Sequence, residues 1–153
     1  MELIEVDIER VIATTDEHYA AVLKSPEKTF LIFIGRPEAV ALYRCLKGKT
    51  FFRPLAHDLI ANLVAAFDIH IKGVVISTII DNIFCATLLL SQAEDQEGQR
   101  HEVRLDLRAS DAMIVARKTG SRLFVSREVL DAVQDASGLL GLDGGLGEME
   151  LDD

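Results

Sequence analysis

The spacing of apolar residues changes several times along this chain, and each change marks an element. Near the N-terminus Ile4, Val6 and Ile8 alternate with Glu5, Asp7 and Glu9. That period of two predicts a strand over residues 2–15. His18 to Lys24 reads as a second short strand, closed by the turn signal Ser25-Pro26-Glu27-Lys28. Thr29 to Ile34 is an unbroken β-branched and aromatic run, the pattern of a strand covered on both faces. Gly35 stops it. Pro37 suits a first helical turn, where its missing N–H has no intrahelical partner to lose. The helix predicted from Glu38 to Leu46 carries Ala39, Leu42, Tyr43 and Leu46 on one face, with Gly48 closing it.

A second helix, Leu55 to Phe67, is marked by Leu55, Leu59, Leu63 and Phe67, each four residues from the last. Val74–Ile80 and Ile83–Leu90 flank Asp81-Asn82, two residues that tolerate left-handed geometry, and so predict a hairpin. Gln92 to Gln99 is polar and reads as an exposed loop, and Val103 to Leu107 as a strand. A third helix is expected from Ser110, placed to cap it, to Lys118, with Gly120 ending it. Leu123 to Val125 is a short strand, and Ser126 caps a last helix, Arg127 to Asp135. The elements do not alternate regularly, so the fold class is α+β rather than doubly wound α/β: a mixed β-sheet with about four helices. Residues 1–137 form the predicted compact domain. Residues 138–153, with five glycines and five acids, are predicted to be an acidic, flexible tail.

Composition refines this picture. The chain has 153 residues, 49% of them hydrophobic, enough for one domain with a real core. No apolar run approaches the roughly 18 residues of a membrane span, and Met1-Glu2-Leu3-Ile4-Glu5 lacks the basic start of a secretory signal. Cys45 and Cys85 sit in apolar segments and read as buried free thiols. These features predict a cytoplasmic protein without membrane partners. Net charge is −9, and the tail carries five of the acids, leaving 16 bases against 20 acids in the rest. No dense basic stripe exists, so strong electrostatic binding to a nucleic-acid backbone is not predicted from charge, although Arg53, Arg104 and Arg108 allow a small basic site.

Chemistry collects at two places, Arg53-Pro54-Leu55-Ala56-His57-Asp58-Leu59 and Asp106-Leu107-Arg108-Ala109-Ser110-Asp111-Ala112. His57 and Asp58 fall in the first turn of a helix, off the leucine stripe. There His57 can serve as general base or metal ligand with Asp58 orienting it, or Asp58 can simply complement the helix dipole. Asp106 ends a strand and Asp111 begins a helix. Two carboxylates at such a turn can share Mg²⁺ or Mn²⁺ with Arg108 on a phosphate, or can be ordinary ion-pair and dipole partners. Glu38, after Gly35-Arg36-Pro37, is a third acid in a first helical turn. Converging helix starts would gather these groups into one site; diverging ones would leave each acid as good helix grammar. No Cys/His zinc pattern and no glycine-rich phosphate loop is present, and His18, His70 and His101 are isolated.

Phe33-Ile34-Gly35-Arg36-Pro37-Glu38-Ala39, the Arg53–Leu59 cluster, Asp81-Asn82-Ile83-Phe84-Cys85-Ala86 and the Asp106–Ala112 cluster follow one another in the order and rough spacing of the bifunctional nuclease family. The resemblance covers about residues 4–132. It implies a single α+β domain, a homo-oligomer with a dimer favoured, and nuclease activity on RNA and DNA. Three positions depart from the family pattern: Ala56 replaces a threonine, Ala109 a proline and Cys85 an aromatic residue.

Two functions follow. One is a metal-assisted phosphodiesterase in which Asp106 and Asp111, with Glu38 or Asp58, hold the cation. His57 activates water, and Arg53 and Arg108 hold the phosphate. The other is a non-catalytic oligomeric binding or regulatory module in which the same charges form structural ion pairs.

Overall fold

In a computed structural model the described residues are 1–94, 96–139 and 146–149. The elements run β1 (Leu3–Thr14), β2 (Tyr19–Lys24), β3 (Thr29–Ile34), α1 (Arg36–Leu46), α2 (Ala56–Ala66), β4 (His70–Ile80), β5 (Ile83–Ser91), β6 (Glu102–Arg108), α3 (Ala109–Thr119), β7 (Leu123–Ser126), α4 (Arg127–Ala132) and β8 (Leu146–Glu148). Seven strands form a mixed sheet in the order β3-β2-β1-β7-β4-β5-β6, with β8 added against β1. Only the β4–β7 pair is parallel among the described strands. The α+β class read from the sequence is the class of this fold.

β1 joins two halves of the sheet. Leu3–Val6 pairs with β7, and Asp7–Ala13 pairs with β2. The register shifts between Ile8 and Arg10, an irregularity that bends a strand and increases its twist. Against this sheet lies α3, buried without a break from Ala112 to Ala116. The small residues Ala109, Ser110, Ala112 and Ala116 let the sheet and neighbouring helices approach closely, while Met113 and Ile114 fill the core. Each such large side chain contributes about 1.5–3 kcal/mol of burial. Gly120, at φ +65°, ends α3 in left-handed geometry that costs a glycine little. Asp81 and Asn82 both have positive φ, the geometry that the two-residue hairpin turn requires.

Four expectations change on folding. α3 begins at Ala109 with Arg108 at its N-cap, and Ser110 is buried inside the first turn rather than capping it. β3 is an edge strand, so Phe33 is not covered on both sides but 62% exposed. The leucine stripe of α2 also faces outward, and α2 has no fully buried residue. Its inner face is the alternative set His57, Ile60, Ala61 and Val64, at helical spacings of three, one and three, all partly buried. Both faces of this helix are apolar, so periodicity alone could not choose between them.

The fourth change falls in the predicted flexible tail. Within it, Leu146–Glu148 pairs antiparallel with β1, Met149 is 3% exposed, and its N–H donates to the Val11 carbonyl at 2.9 Å. Residues 140–145 and 150–153 lie outside the described residues. Ser126 caps α4 as expected, accepting the Val129 N–H at 3.1 Å. The other end of α4 is closed by Lys28, whose Nζ donates to the Leu130 and Val133 carbonyls at 2.6 and 2.9 Å. No described helix is long and apolar enough to cross a membrane.

Candidate active site

The starts of three helices meet. α1 and α2 both pack on α3, and their first turns bring Glu38, His57 and Asp111 to one place, with Arg108 at the α3 N-cap between them. His57 Nε2 lies 2.9 Å from Asp111 Oδ1. Arg108 grips the same carboxylate with two parallel bonds, Nε to Oδ2 at 2.8 Å and Nη2 to Oδ1 at 3.1 Å, and reaches Glu38 Oε1 with Nη1 at 3.1 Å. The result is a chain of contacts Glu38–Arg108–Asp111–His57 drawn from positions up to 73 residues apart in sequence. Two carboxylates at converging helix N-termini offset the partial positive charge of those ends.

Burial and exposure divide the cluster. The side chains of His57, Asp111 and Glu38 are 18%, 24% and 20% exposed, whereas that of Arg108 is 67% exposed. Burial works to raise the Asp111 carboxyl, but hydrogen bonds from Arg108 and His57 outweigh it and hold the group below the ordinary aspartate range. Asp111 is therefore an anion at neutral pH and accepts only, so Nε2 of His57 must carry the proton. In neutral His57 the lone pair then sits on Nδ1, free to act as a base. Arg108 spends three of its five N–H groups on Asp111 and Glu38, which leaves two for an incoming anion.

Gly35 helps to set Glu38. A Cβ added there would lie 2.6 Å from Glu38 Oε2, so the bare glycine leaves room for the carboxylate to fold back beside the helix start. Beyond the cluster lies a groove of about 330 Å³ whose walls include Gly35, Glu38, Arg108 and Ser110. Glu38 and Arg108 thus open to this groove, and His57 and Asp111 lie behind Arg108. A larger cleft of about 650 Å³ lies past the other end of α3, near Arg117 and Gly120, away from this cluster.

The remaining sequence candidates go elsewhere. Asp58 accepts the Leu55 N–H at 2.9 Å and the Lys118 ammonium at 2.6 Å, fixing the start of α2 to the last turn of α3. The Lys118 bond, with that from Leu55, holds the Asp58 carboxyl below its ordinary range. Its geometry is that of an anchor rather than a partner of His57. Arg53 is exposed and makes no ion pair among the described residues.

Asp106 is exposed in β6, opposite Thr87, and shares a strand face with Arg104. Leu107, on the alternate face, packs into the core beneath α3. Asp106 thus sits opposite Thr87 on the face away from Leu107, and the expectation that it shares a cation with Asp111 is not supported by this placement. Among the described residues no group of three His, Cys, Asp or Glu side chains is arranged to hold a metal ion. One residue near the site carried no signal that singled it out: Lys118 lies 60 positions from Asp58, which it pairs with.

The chain matches a known class of domain. Residues 21–137 match the bifunctional nuclease domain model, and the chain belongs to that family. Two uncharacterized proteins of Mycobacterium tuberculosis, Rv1829 of strain H37Rv and MT1877 of strain CDC 1551, are each 31% identical to it over 99 residues. Those 99 residues are 65% of this chain and 55% of each relative, so the chain spans about half the length of the curated relatives it matches.

Proposed function

We propose that this chain hydrolyses phosphodiester bonds of RNA and DNA at the Glu38–Arg108–Asp111–His57 cluster. The observation that carries the reading is the 2.9 Å contact of His57 with Asp111 beside a largely exposed arginine. Membership of the nuclease family supports it. Asp111 holds the imidazole tautomer that leaves Nδ1 as the base. Nδ1 takes a proton from water as the water oxygen bonds to phosphorus. The P–O ester bond breaks, and the departing oxygen takes a proton from solvent. The two remaining N–H groups of Arg108 bind the phosphoryl oxygens as their charge grows. Water supplies the nucleophile, so a 2′-hydroxyl is not required and both RNA and DNA are substrates.

Assistance by Mg²⁺ or Mn²⁺ does not fit this cluster: among the described residues no three His, Cys, Asp or Glu side chains are arranged to hold a cation, and both Asp111 oxygens are held by Arg108 and His57.

The test is cleavage of single-stranded RNA and DNA by purified protein, with and without EDTA. The reading expects cleavage that survives EDTA and falls about 100-fold or more in His57→Ala. Cleavage indifferent to His57→Ala removes the site. Absence of cleavage from the wild type leaves the non-catalytic binding or regulatory module as the better account.

The same reading includes a homodimer, joined through the outward face of α2. Leu55, Leu59, Leu63 and Phe67 along it are 43%, 55%, 47% and 66% exposed. A continuous apolar stripe of this kind on a surface marks an interaction site. No charged residue interrupts the α2 face after Asp58, and a stripe repeating every four residues is complementary to a second copy of itself.

A further inference from the structure

We propose that the groove beside Arg108 is a seat for one unpaired nucleotide, its base held on Phe33 and Ile83 and its phosphate by Arg108. The inference rests on the nuclease reading of the neighbouring cluster and names the form of substrate that it takes.

The groove is formed by the end of β3, the tip of the β4–β5 hairpin and the first turns of α1 and α3. Its volume of about 330 Å³ suits a single nucleotide rather than a duplex. One wall is apolar. Phe33, on the edge strand β3, is 62% exposed and Ile83, directly after the hairpin turn, 66%, while Phe84 in the same wall packs against the core. The groove also carries charge: Arg108 lines it and keeps two N–H groups unspent. An aromatic ring and a guanidinium group in one groove match a base joined to its phosphate.

Two arguments favour an unpaired base. Inside a duplex both faces of a base are covered by its neighbours, so none is free to lie on Phe33. The chain also carries a net charge of −9, so a long run of phosphates is repelled and affinity must come from local contacts. Stacking on one ring with an arginine–phosphate contact from Arg108 meets that requirement. Placed in this way, the phosphate lies beside the cluster that contains His57 and Asp111.

The experiment measures binding, separately from cleavage, by fluorescence anisotropy of a short labelled oligonucleotide. It uses the His57→Ala protein so that the probe stays intact. Single-stranded probe is expected to bind more tightly than the same sequence as a duplex. Phe33→Ala is expected to weaken single-strand binding roughly ten-fold or more, Phe33→Trp to preserve it, and neither to alter the weak duplex binding. Phe33 is exposed, so the variants fold as the parent does, and circular dichroism verifies this. Equal affinity for single strand and duplex, or indifference to Phe33→Ala, overturns the proposal. So does a change in sedimentation of Phe33→Ala without a change in oligonucleotide binding, which would assign the groove to a subunit contact. Phe33-dependent binding by a wild type that cleaves nothing removes the nuclease reading and keeps the nucleotide seat. Cleavage that is independent of Phe33 does the reverse.

Discussion

His57 and Asp111 are separated by 54 positions in the chain, yet their Nε2 and Oδ1 atoms lie 2.9 Å apart across the interface of α2 and α3. The contact fixes which nitrogen of His57 is protonated and so decides what the imidazole can do. Replacing Asp111 with Asn removes the anion while keeping the shape. The expected result is a loss of cleavage of about 100-fold, close to that of His57→Ala, with the double variant little worse than either single one. Single-turnover assays on the three proteins measure this. Additive losses would mean that the two residues act separately.

Asp58 and His57 are adjacent, but the structure separates their purposes. Asp58 caps α2 and pairs with Lys118. Asp58→Ala leaves the ammonium unpaired and the Leu55 N–H without its acceptor, at a cost of about 1–2 kcal/mol of stability. Urea unfolding reads this loss directly, and the per-molecule cleavage rate of the folded variant is expected to stay within about three-fold of wild type. A stable Asp58→Ala protein without activity would return Asp58 to the chemistry.

Acid is expected to loosen the helix starts. Asp58 and Asp111 both have folded carboxyls held below the usual aspartate value of 3.8, Asp58 chiefly by Lys118 and Asp111 by Arg108 and His57 against its burial. The unfolded chain thus takes up protons first. The stability these two groups contribute is complete above that value and is lost as pH falls through their folded values. Melting temperatures recorded from about pH 6 downward should fall less steeply in Asp58→Asn with Asp111→Asn than in wild type. Parallel curves would show that the two carboxylates are not the linked groups.

Gly35→Ala tests how Glu38 is placed. The new methyl group meets Glu38 Oε2 at 2.6 Å, so the flexible carboxylate must move and loosen its hold on Arg108. The expected change is below about 1 kcal/mol in stability, as the contact is with a mobile side-chain end. Cleavage should fall to the level of Glu38→Gln, whichever substrate is used. Wild-type rates in Gly35→Ala would show that Glu38 does not set Arg108.

The outward α2 face makes a separate prediction. Leu59→Lys and Leu63→Lys are expected to convert a dimer to a folded monomer in analytical ultracentrifugation, because both side chains are about half exposed and their loss leaves no core cavity. A wild type that sediments as a monomer would dispose of the dimer, and a dimer untouched by either change would move the seam elsewhere.

Local order was already written in the chain. Alternation at Ile4, Val6 and Ile8 made β1 legible, Asp81-Asn82 made the hairpin, and Gly120 ended α3 where it was expected to. Each depends on the backbone preferences of a few adjacent residues. The acids in the first turns of α1, α2 and α3 were legible for the same reason. The same local logic failed at the tail, where Leu146–Glu148 finds a partner in β1 more than 130 residues away.

Sequence by itself therefore determined the kinds of element, their approximate limits and which residues could carry chemistry. Tertiary structure decided which of those residues meet. Asp111 and Asp58 look alike as helix-start acids, yet packing on α3 gives one to His57 and Arg108 and the other to Lys118. It placed Asp106 opposite Thr87 on the face away from Leu107, and left Phe33 and the α2 stripe uncovered. The physical reason is one of range. Backbone propensity acts over about one helical turn or one hairpin, whereas a site is made by contacts between segments whose meeting is set by the burial of a shared core.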